Sequence, residues 1–256
     1  MIAEELFKIK GKIALVTGST GGLGSVFAKG LAENGAIVIL NGRNREKLER
    51  QVDEFKDMGY QADSCVFDVT SSEQINVAVE QIEQKVGAID ILVNNAGINL
   101  RAPLEDFSDE DWNKVIGINL SGAYKVAKGF VKGMIKKKAG KIINIGSMQC
   151  ELARPTIAPY AASKGGIKML TKGMAADWAK YNIQVNGIGP GYFKTKMTKP
   201  LYENPEFDSW LCGRTPSSRW GNPEELIGAL LFLSSDAGNY VNGQMIYVDG
   251  GLLATI

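Results

Sequence analysis

Tyr160-Ala161-Ala162-Ser163-Lys164 sets a phenol four residues before an ammonium, a spacing that on a helix brings both groups to one face. Such a pair has a chemical use. A phenol with a pKa of ~10 is a poor base near neutrality, and an adjacent ammonium favours the phenolate and lowers that pKa. Tyr160 would then take the proton of an alcohol as hydride leaves, or return it to a ketone in the reverse direction. The chain contains no histidine, so the commonest general base and the commonest metal ligand are both missing, and no metal-ligand cluster declares itself. Ser147 comes directly after the apolar run 141–145, where α/β sheets place binding residues, and its hydroxyl is expected to hydrogen-bond the reacting oxygen. Asn119 is a polar residue within an apolar helical stretch, 115–122. It is expected to be buried and in need of partners, and a water held there would relay protons from Lys164.

A second group of residues suits a phosphate. The run Gly18-Ser19-Thr20-Gly21-Gly22-Leu23-Gly24 lies between a strand-like segment, 13–17, and a helical one, 23–34. Glycines there let the backbone turn tightly and approach a pyrophosphate, whose charge is met by the free N–H groups that open the helix. The spacing of Gly18, Gly22 and Gly24 is not the dinucleotide pattern GxGxxG, so the strand-to-helix context carries the reading. At the end of the next strand an acidic residue would hold the ribose hydroxyls of NAD, but the chain has Asn41-Gly42-Arg43. The Arg43 guanidinium suits a ribose 2′-phosphate, which favours NADP(H) and leaves NAD(H) as the alternative, since Thr20 adds no second positive charge.

These residues need a scaffold that presents them at one edge. Short β-branched runs alternate with stretches of helical period, as in βαβ units. We expect strands at 13–17, 37–41, 64–67, 91–94, 141–145, 184–188 and 245–248. Together they predict an α/β fold with a doubly wound, parallel seven-stranded sheet of the Rossmann type, in a single domain spanning 1–256. On the helix 23–34, Val26, Phe27, Gly30 and Leu31 share a face. Asn222-Pro223-Glu224-Glu225 reads as a helix start, and 189–216, interrupted by Pro190, Gly191, Pro200 and Pro205, as a long connection that forms a substrate lid.

Composition excludes several classes of function. With 29 basic and 28 acidic residues the net charge is +1, which gives no field suited to nucleic acid or an anionic membrane. Cys65, Cys150 and Cys212 are odd in number and lack CxxC spacing, which argues against a disulfide framework and fits the reducing cytoplasm. No apolar run approaches the ~20 residues of a spanning helix, and Glu4 and Glu5 are unlike a signal peptide.

The ordered set Thr17-Gly18-x-x-x-Gly22-x-Gly24, Asn94-Asn95-Ala96-Gly97, Asn119, Ser147 and Tyr160-x-x-x-Lys164 resembles the short-chain dehydrogenase/reductase family over nearly the whole chain. The resemblance implies that Asn119, Ser147, Tyr160 and Lys164 form a catalytic tetrad and that Lys164 also bonds the nicotinamide ribose. It implies that Asp68 and Val69 flank the adenine, and that Asn95, with Ala96 and Gly97, lines the cofactor. Pro190-Gly191 resembles the segment under the nicotinamide. The family's habit predicts a homotetramer.

Within the family, segments 147–160, 189–195 and 214–221 resemble sugar-acid dehydrogenases that interconvert gluconate and 5-ketogluconate with NADP(H). Enzymes acting at C3 of a deoxyketogluconate share much of the last segment, so that alternative stays open. A sugar acid carries a carboxylate, and Arg101 and Arg154 both fall on loops at the expected mouth, where either guanidinium would fork onto it, Arg101 first. Gln149 and Glu151 are candidates for substrate hydroxyls, and Trp210 and Trp220 for closing the site. Two other readings remain. A 3-oxoacyl-thioester reductase would need a basic patch for an acidic carrier protein, which Lys132, Lys136, Lys137 and Lys138 would supply. A non-catalytic NADPH sensor would need the tetrad to be idle.

Overall fold

The computed structural model describes residues 2–255. Seven strands form one sheet: β1 (Ile13–Val16), β2 (Ile37–Gly42), β3 (Ala62–Val66), β4 (Ile91–Asn94), β5 (Gly140–Ile145), β6 (Ile183–Pro190) and β7 (Met245–Val248). Their order is β3-β2-β1-β4-β5-β6-β7, and every pairing is parallel. All seven expected strands are present. The sheet order reverses between β1 and β4, so the crevice beyond the carboxyl ends of these two strands is the place where a ligand fits.

Alternation along each strand feeds two separate cores. Ala14, Val16, Val38, Leu40, Ile91 and Val93 pack on one face, against Phe27 and Leu31 of α2 (Gly22–Glu33), Leu48 of α3 (Arg45–Asp57) and Leu230 of α10 (Ile227–Ser234). Leu15, Ile39, Leu92 and Ile142 face the other way, toward Ile75 of α4 (Ser72–Lys85), Phe130 of α6 (Ala123–Lys137) and Met174 of α7 (Ala158–Trp178). Burial on both faces explains why the strands read as continuous apolar runs. On α2, Phe27, Gly30 and Leu31 are buried as expected and Val26 is half-buried. Gly30 lets α10 pack closely: a Cβ there would lie 2.4 Å from the Ile227 Cδ1, and that side chain would have to move.

Helix starts follow their caps. Asn44 caps α3 and Ser71 caps α4, each accepting a hydrogen bond from a first-turn N–H. Asn222 and Glu225 form a reciprocal capping box, but the turn they open, Pro223–Leu226, is a 3₁₀ helix that runs on into α10. α5 (Asp109–Ile116) continues into a π-helical segment, Gly117–Gly122, before α6 begins. The expected helix around Asn119 is therefore wound wider than an α-helix. Two further elements, α8 (Lys199–Tyr202) and α9 (Pro205–Arg214), occupy the long excursion after β6, and a short α1 (Ala3–Leu6) precedes the sheet. Among the described residues no helix is long and apolar enough to cross a membrane.

Candidate active site

A cavity of about 380 Å³ opens at the carboxyl ends of the strands, and one end of it is made mostly of backbone. Gly18, Thr20, Gly21, Gly22 and Leu23 line it where β1 passes into α2. Gly18 has φ +63°, and a Cβ on it would sit 2.9 Å from the Ala96 Cα. Gly22 has φ +56° with open space around its missing side chain, as a cradle for a ligand requires. The first turn of α2 has no acidic residue and no side-chain cap, so its N–H groups remain available to an anion. The donor set and the open cradle fit a pyrophosphate.

Gly24 acts beneath this loop rather than in it. A Cβ at Gly24 would lie 2.2 Å from the Gly18 carbonyl oxygen and 2.5 Å from Asn95 Nδ2. Asn95 Nδ2 donates to the carbonyls of Thr17 (2.9 Å) and Gly18 (3.1 Å), while the N–H groups of Asn95 and Ala96 donate to Thr17 Oγ1. The β1 loop is thereby locked to the end of β4. Ser19 was expected at the cofactor, but its fully buried hydroxyl exchanges hydrogen bonds with the Asn41 backbone and is absent from the cavity wall. The turn needs that hydroxyl to join β1 to β2. Asn41 went unnoticed in the sequence: its side chain donates to the carbonyls of Cys65 and Phe67, bracing β2 to β3.

Arg43, Asp68 and Val69 border the same end of the cavity. The Arg43 side chain is 72 % exposed and stands 3.8 Å from Asp68, a loose pairing that leaves its guanidinium free to turn toward a ligand. Burial works to raise the Asp68 pKa. Hydrogen bonds from Thr70 and the charges of Arg43 and Lys125 outweigh it and hold the carboxyl below its usual range. Ala96, Gly97, Pro190 and Gly191 line the floor between the two ends.

At the other end Ser147, Tyr160 and Lys164 meet. Ser147 caps the 3₁₀ turn Met148–Cys150 and accepts the Gln149 N–H at 3.1 Å. Tyr160 and Lys164 lie one turn apart near the start of α7, where Pro159 opens the helix. The Lys164 ammonium lies 5.6 Å from the Tyr160 ring centre and donates to the Ile145 carbonyl at 2.7 Å. The expected lowering of the phenol pKa is not found in this state. Burial pushes Tyr160 up to about 12, with a hydrogen bond from Ser147 opposing it, and burial also brings Lys164 down to about 8. Two ionisable groups lose water together, and that loss exceeds their mutual effect.

Asn119 is buried, as expected, and fully engaged. Its Oδ1 accepts from the Ile98 N–H (2.8 Å), and its Nδ2 donates to the Ile98 carbonyl (2.9 Å) and to Ser163 Oγ (3.0 Å). Both amide protons are used, so the side chain ties the loop after β4 to the start of α7. Asn94 adds a second buried tie. Its Nδ2 donates to Asn144 Oδ1, and Asn144 Nδ2 in turn donates to Thr171, linking β4, β5 and α7.

The proposed substrate residues divide. Arg101 is exposed, and burial of part of its side chain together with the nearby Arg154 charge lowers its pKa. Arg154 donates to the Tyr192 hydroxyl at 3.0 Å and lies 5.0 Å from the centre of the Phe207 ring. Gln149 is buried with its Oε1 unpartnered, beside Ser147 but outside the cavity wall. Glu151 is already occupied by Lys168 and the Tyr247 hydroxyl. Trp220 is 4 % exposed, donates to Asp208 at 2.7 Å and packs against Tyr192, Tyr202 and Phe207, so it supports the excursion from beneath. Trp210 is 53 % exposed and does not line the cavity. The residues of the excursion that do line the cavity are Thr195, Met197 and Thr198, together with Phe193 just after β6. The turn-rich sequence identified the segment but not these positions.

Comparison with known proteins agrees with this geometry. A family model described as short chain dehydrogenase matches residues 12–206. The chain is 51 % identical to the 5-keto-D-gluconate 5-reductase of Escherichia coli K12, over 99 % of this chain and 100 % of that one. It is 50 % identical to the gluconate 5-dehydrogenase of Gluconobacter oxydans 621H, over 100 % of both. The crystal structure of a gluconate 5-dehydrogenase from Burkholderia cenocepacia J2315, in complex with NADP and tartrate, superposes with a TM-score of 0.97 at 51 % identity, covering 100 % of both chains.

Proposed function

The chain belongs to the short-chain dehydrogenase family, and from that premise we propose that it moves a hydride reversibly between NADP(H) and a sugar acid, interconverting D-gluconate and 5-keto-D-gluconate. One observation carries the reading: a single cavity joins a backbone cradle for phosphate to Ser147, Tyr160 and Lys164. The relatives named for this reaction, which match over full length, support the choice of substrate.

Nicotinamide, when bound, supplies or accepts the hydride. Ser147 holds the substrate oxygen, and Tyr160 hands it a proton in reduction or removes one in oxidation. Half-buried in the cavity wall and raised to about 12, the phenol is protonated at neutral pH, the form that reduction needs. Oxidation needs the phenolate and therefore gains as pH rises. Lys164 bonds the ribose of the cofactor, and Asn119 positions both residues through Ser163. Arg43 takes the 2′-phosphate, and Arg101 anchors the substrate carboxylate so that a distant carbon reaches Tyr160. The excursion 189–216 acts as the lid of a one-domain enzyme.

The thioester alternative is disfavoured by placement. Lys136, Lys137 and Lys138 precede β5, whereas Ser147 follows it, so the basic patch lies a strand length of about 20 Å from the reacting groups. The resemblance further implies a homotetramer in the cytoplasm, consistent with the exposed apolar side chains of Trp112 and Met169 and with three free cysteines. Absorbance of NADPH and NADH, followed with 5-ketogluconate, other keto sugars and a ketoacyl thioester, tests substrate and cofactor together. Oxidation of NADPH by the thioester alone would overturn the assignment.

A further inference from the structure

Two loops that carry arginine leave the cavity wall at Ile98 and Ser147 and join beyond it, with Arg101 and Arg154 themselves outside the lining of the cavity. The Ala102 N–H donates to the Thr156 carbonyl at 3.2 Å, which joins the loop after β4 to the loop before α7 and draws Arg101 toward Arg154. Neither guanidinium has a carboxylate partner among the described residues. Like charges held close without a counter-charge destabilise one another, and an anion placed between them relieves the repulsion. The lowered pKa of Arg101 reports that repulsion after the effect of burial.

Arg154 also has a second attachment. Its donation to the Tyr192 hydroxyl and its place over the Phe207 ring fasten it to the excursion, because Tyr192 lies two residues past β6 and Phe207 belongs to α9. Phe207 in turn packs on Tyr192 and Trp220, so the guanidinium sits at the edge of an aromatic cluster that supports the whole lid. A cation over an aromatic face is stabilising in itself, and the phenolic oxygen uses only part of the five-donor fork.

We propose that Arg154 is a specificity-determining residue: with Arg101 it forms a two-guanidinium subsite for the substrate carboxylate, and its contacts with Tyr192 and Phe207 link occupation of that subsite to closure of the lid. The proposal rests on the sugar-acid reading and assigns the end of the substrate remote from Tyr160. A carboxylate bound there holds Arg154 in place, and Arg154 holds α9 down. A neutral polyol leaves the two charges unrelieved and gains no closure.

The test uses the full-length protein in two assays. In the first, steady-state KM for 5-ketogluconate and for a neutral ketose is compared among the native protein, R154M, R101A and the double variant. R154M should raise the sugar-acid KM roughly tenfold or more while leaving the ketose KM unchanged, as loss of a charge-assisted bond predicts. The double variant should fall short of the product of the single effects. In the second, trypsin cleavage at the exposed Lys194 and Lys196 is timed with NADPH present. Gluconate should slow cleavage of the native protein, sorbitol should not, and in both R154M and the milder Y192F the protection by gluconate should be lost or reduced. If the native protein turns over 5-ketogluconate and R154M matches it in KM and protection, the inference fails while the functional reading stands. If the native protein turns over no sugar acid, both fall.

Discussion

The two ends of the cavity are built from different materials. The end at β1 and β2 is mostly main chain: Gly18, Gly21, Gly22 and Gly42, with Asn95 and Thr17 locking the loop from behind. The end at Ser147 is made mostly of side chains delivered by separate elements: Ile98, Ile118, Ser147, Tyr160 and Lys164, with Phe193, Thr195, Met197 and Thr198 from the excursion after β6. A main-chain site depends on where side chains are absent, and a side-chain site on which ones happen to meet. The first tolerates few changes at glycine and many elsewhere; the second can be retuned one side chain at a time without loss of the fold.

Tyr160 stands where the two ends join, and the largest effect is expected there. Tyr160→Phe should lower kcat at least a thousandfold while the Kd for NADPH, measured by fluorescence titration, stays within about twofold. Equal loss of nucleotide affinity would mean that the two ends are not separable. Gly24→Ala breaks the main-chain end, since its Cβ has 2.2 Å to the Gly18 oxygen and no flexible neighbour to move. Its Kd for NADPH should rise about a hundredfold, with secondary structure by circular dichroism preserved.

The join itself also has a pH signature. Lys164 titrates at about 8 in the folded protein against 10.5 when unfolded, so between those values the unfolded chain binds more protons and stability rises with pH. The Lys164 contribution to urea-denaturation stability should grow by about 2 kcal/mol from pH 7.5 to 9.5 in the cofactor-free protein, and Lys164→Met should remove that part of the slope. Lys141, also lowered to about 8, retains its own share in both proteins, so the difference between the two curves is the quantity to read. Tyr160, raised to about 12, acts in the opposite sense above pH 10. The smallest effect sharpens the comparison. Arg43 is one exposed side chain at an end made of backbone, so Arg43→Gln should weaken NADPH roughly tenfold and leave NADH unchanged in paired KM measurements.

The same contrast explains what the sequence revealed. Runs such as Ile91–Asn94, and glycines between a strand and a helix, leave local signatures, so the sheet was legible from its apolar runs and the glycine loop from its strand-to-helix context. That Ser147, Tyr160 and Lys164 share a cavity was legible because Tyr160 and Lys164 lie one helical turn apart and Ser147 follows a strand end. Trp220 was misread because an indole that closes a pocket and one that supports a loop look alike until Asp208, twelve residues earlier, is seen accepting its N–H. The hydroxyl of Ser19 has its partner 22 residues away on β2, a contact that local spacing does not reveal. The lowering expected for Tyr160 rested on the nearness of Lys164, which sequence supplies. Burial decided the outcome, and burial is a property of the assembled fold.

The π-helical segment Gly117–Gly122 has a geometric consequence of its own. Its i→i+5 bonding spans one residue more per hydrogen bond than an α-helix, and one residue is worth about 100° of rotation. α5 and α6 therefore form a single rod with a phase slip in the middle: the stripe that α5 turns toward α7 is not the stripe that α6 turns toward α4 and β5. Asn119 sits in the slip itself, facing α7 like the helix before it, while the helix after it is clocked to the sheet. The rod works as a crank, with one throw for the reacting residues and another for the core.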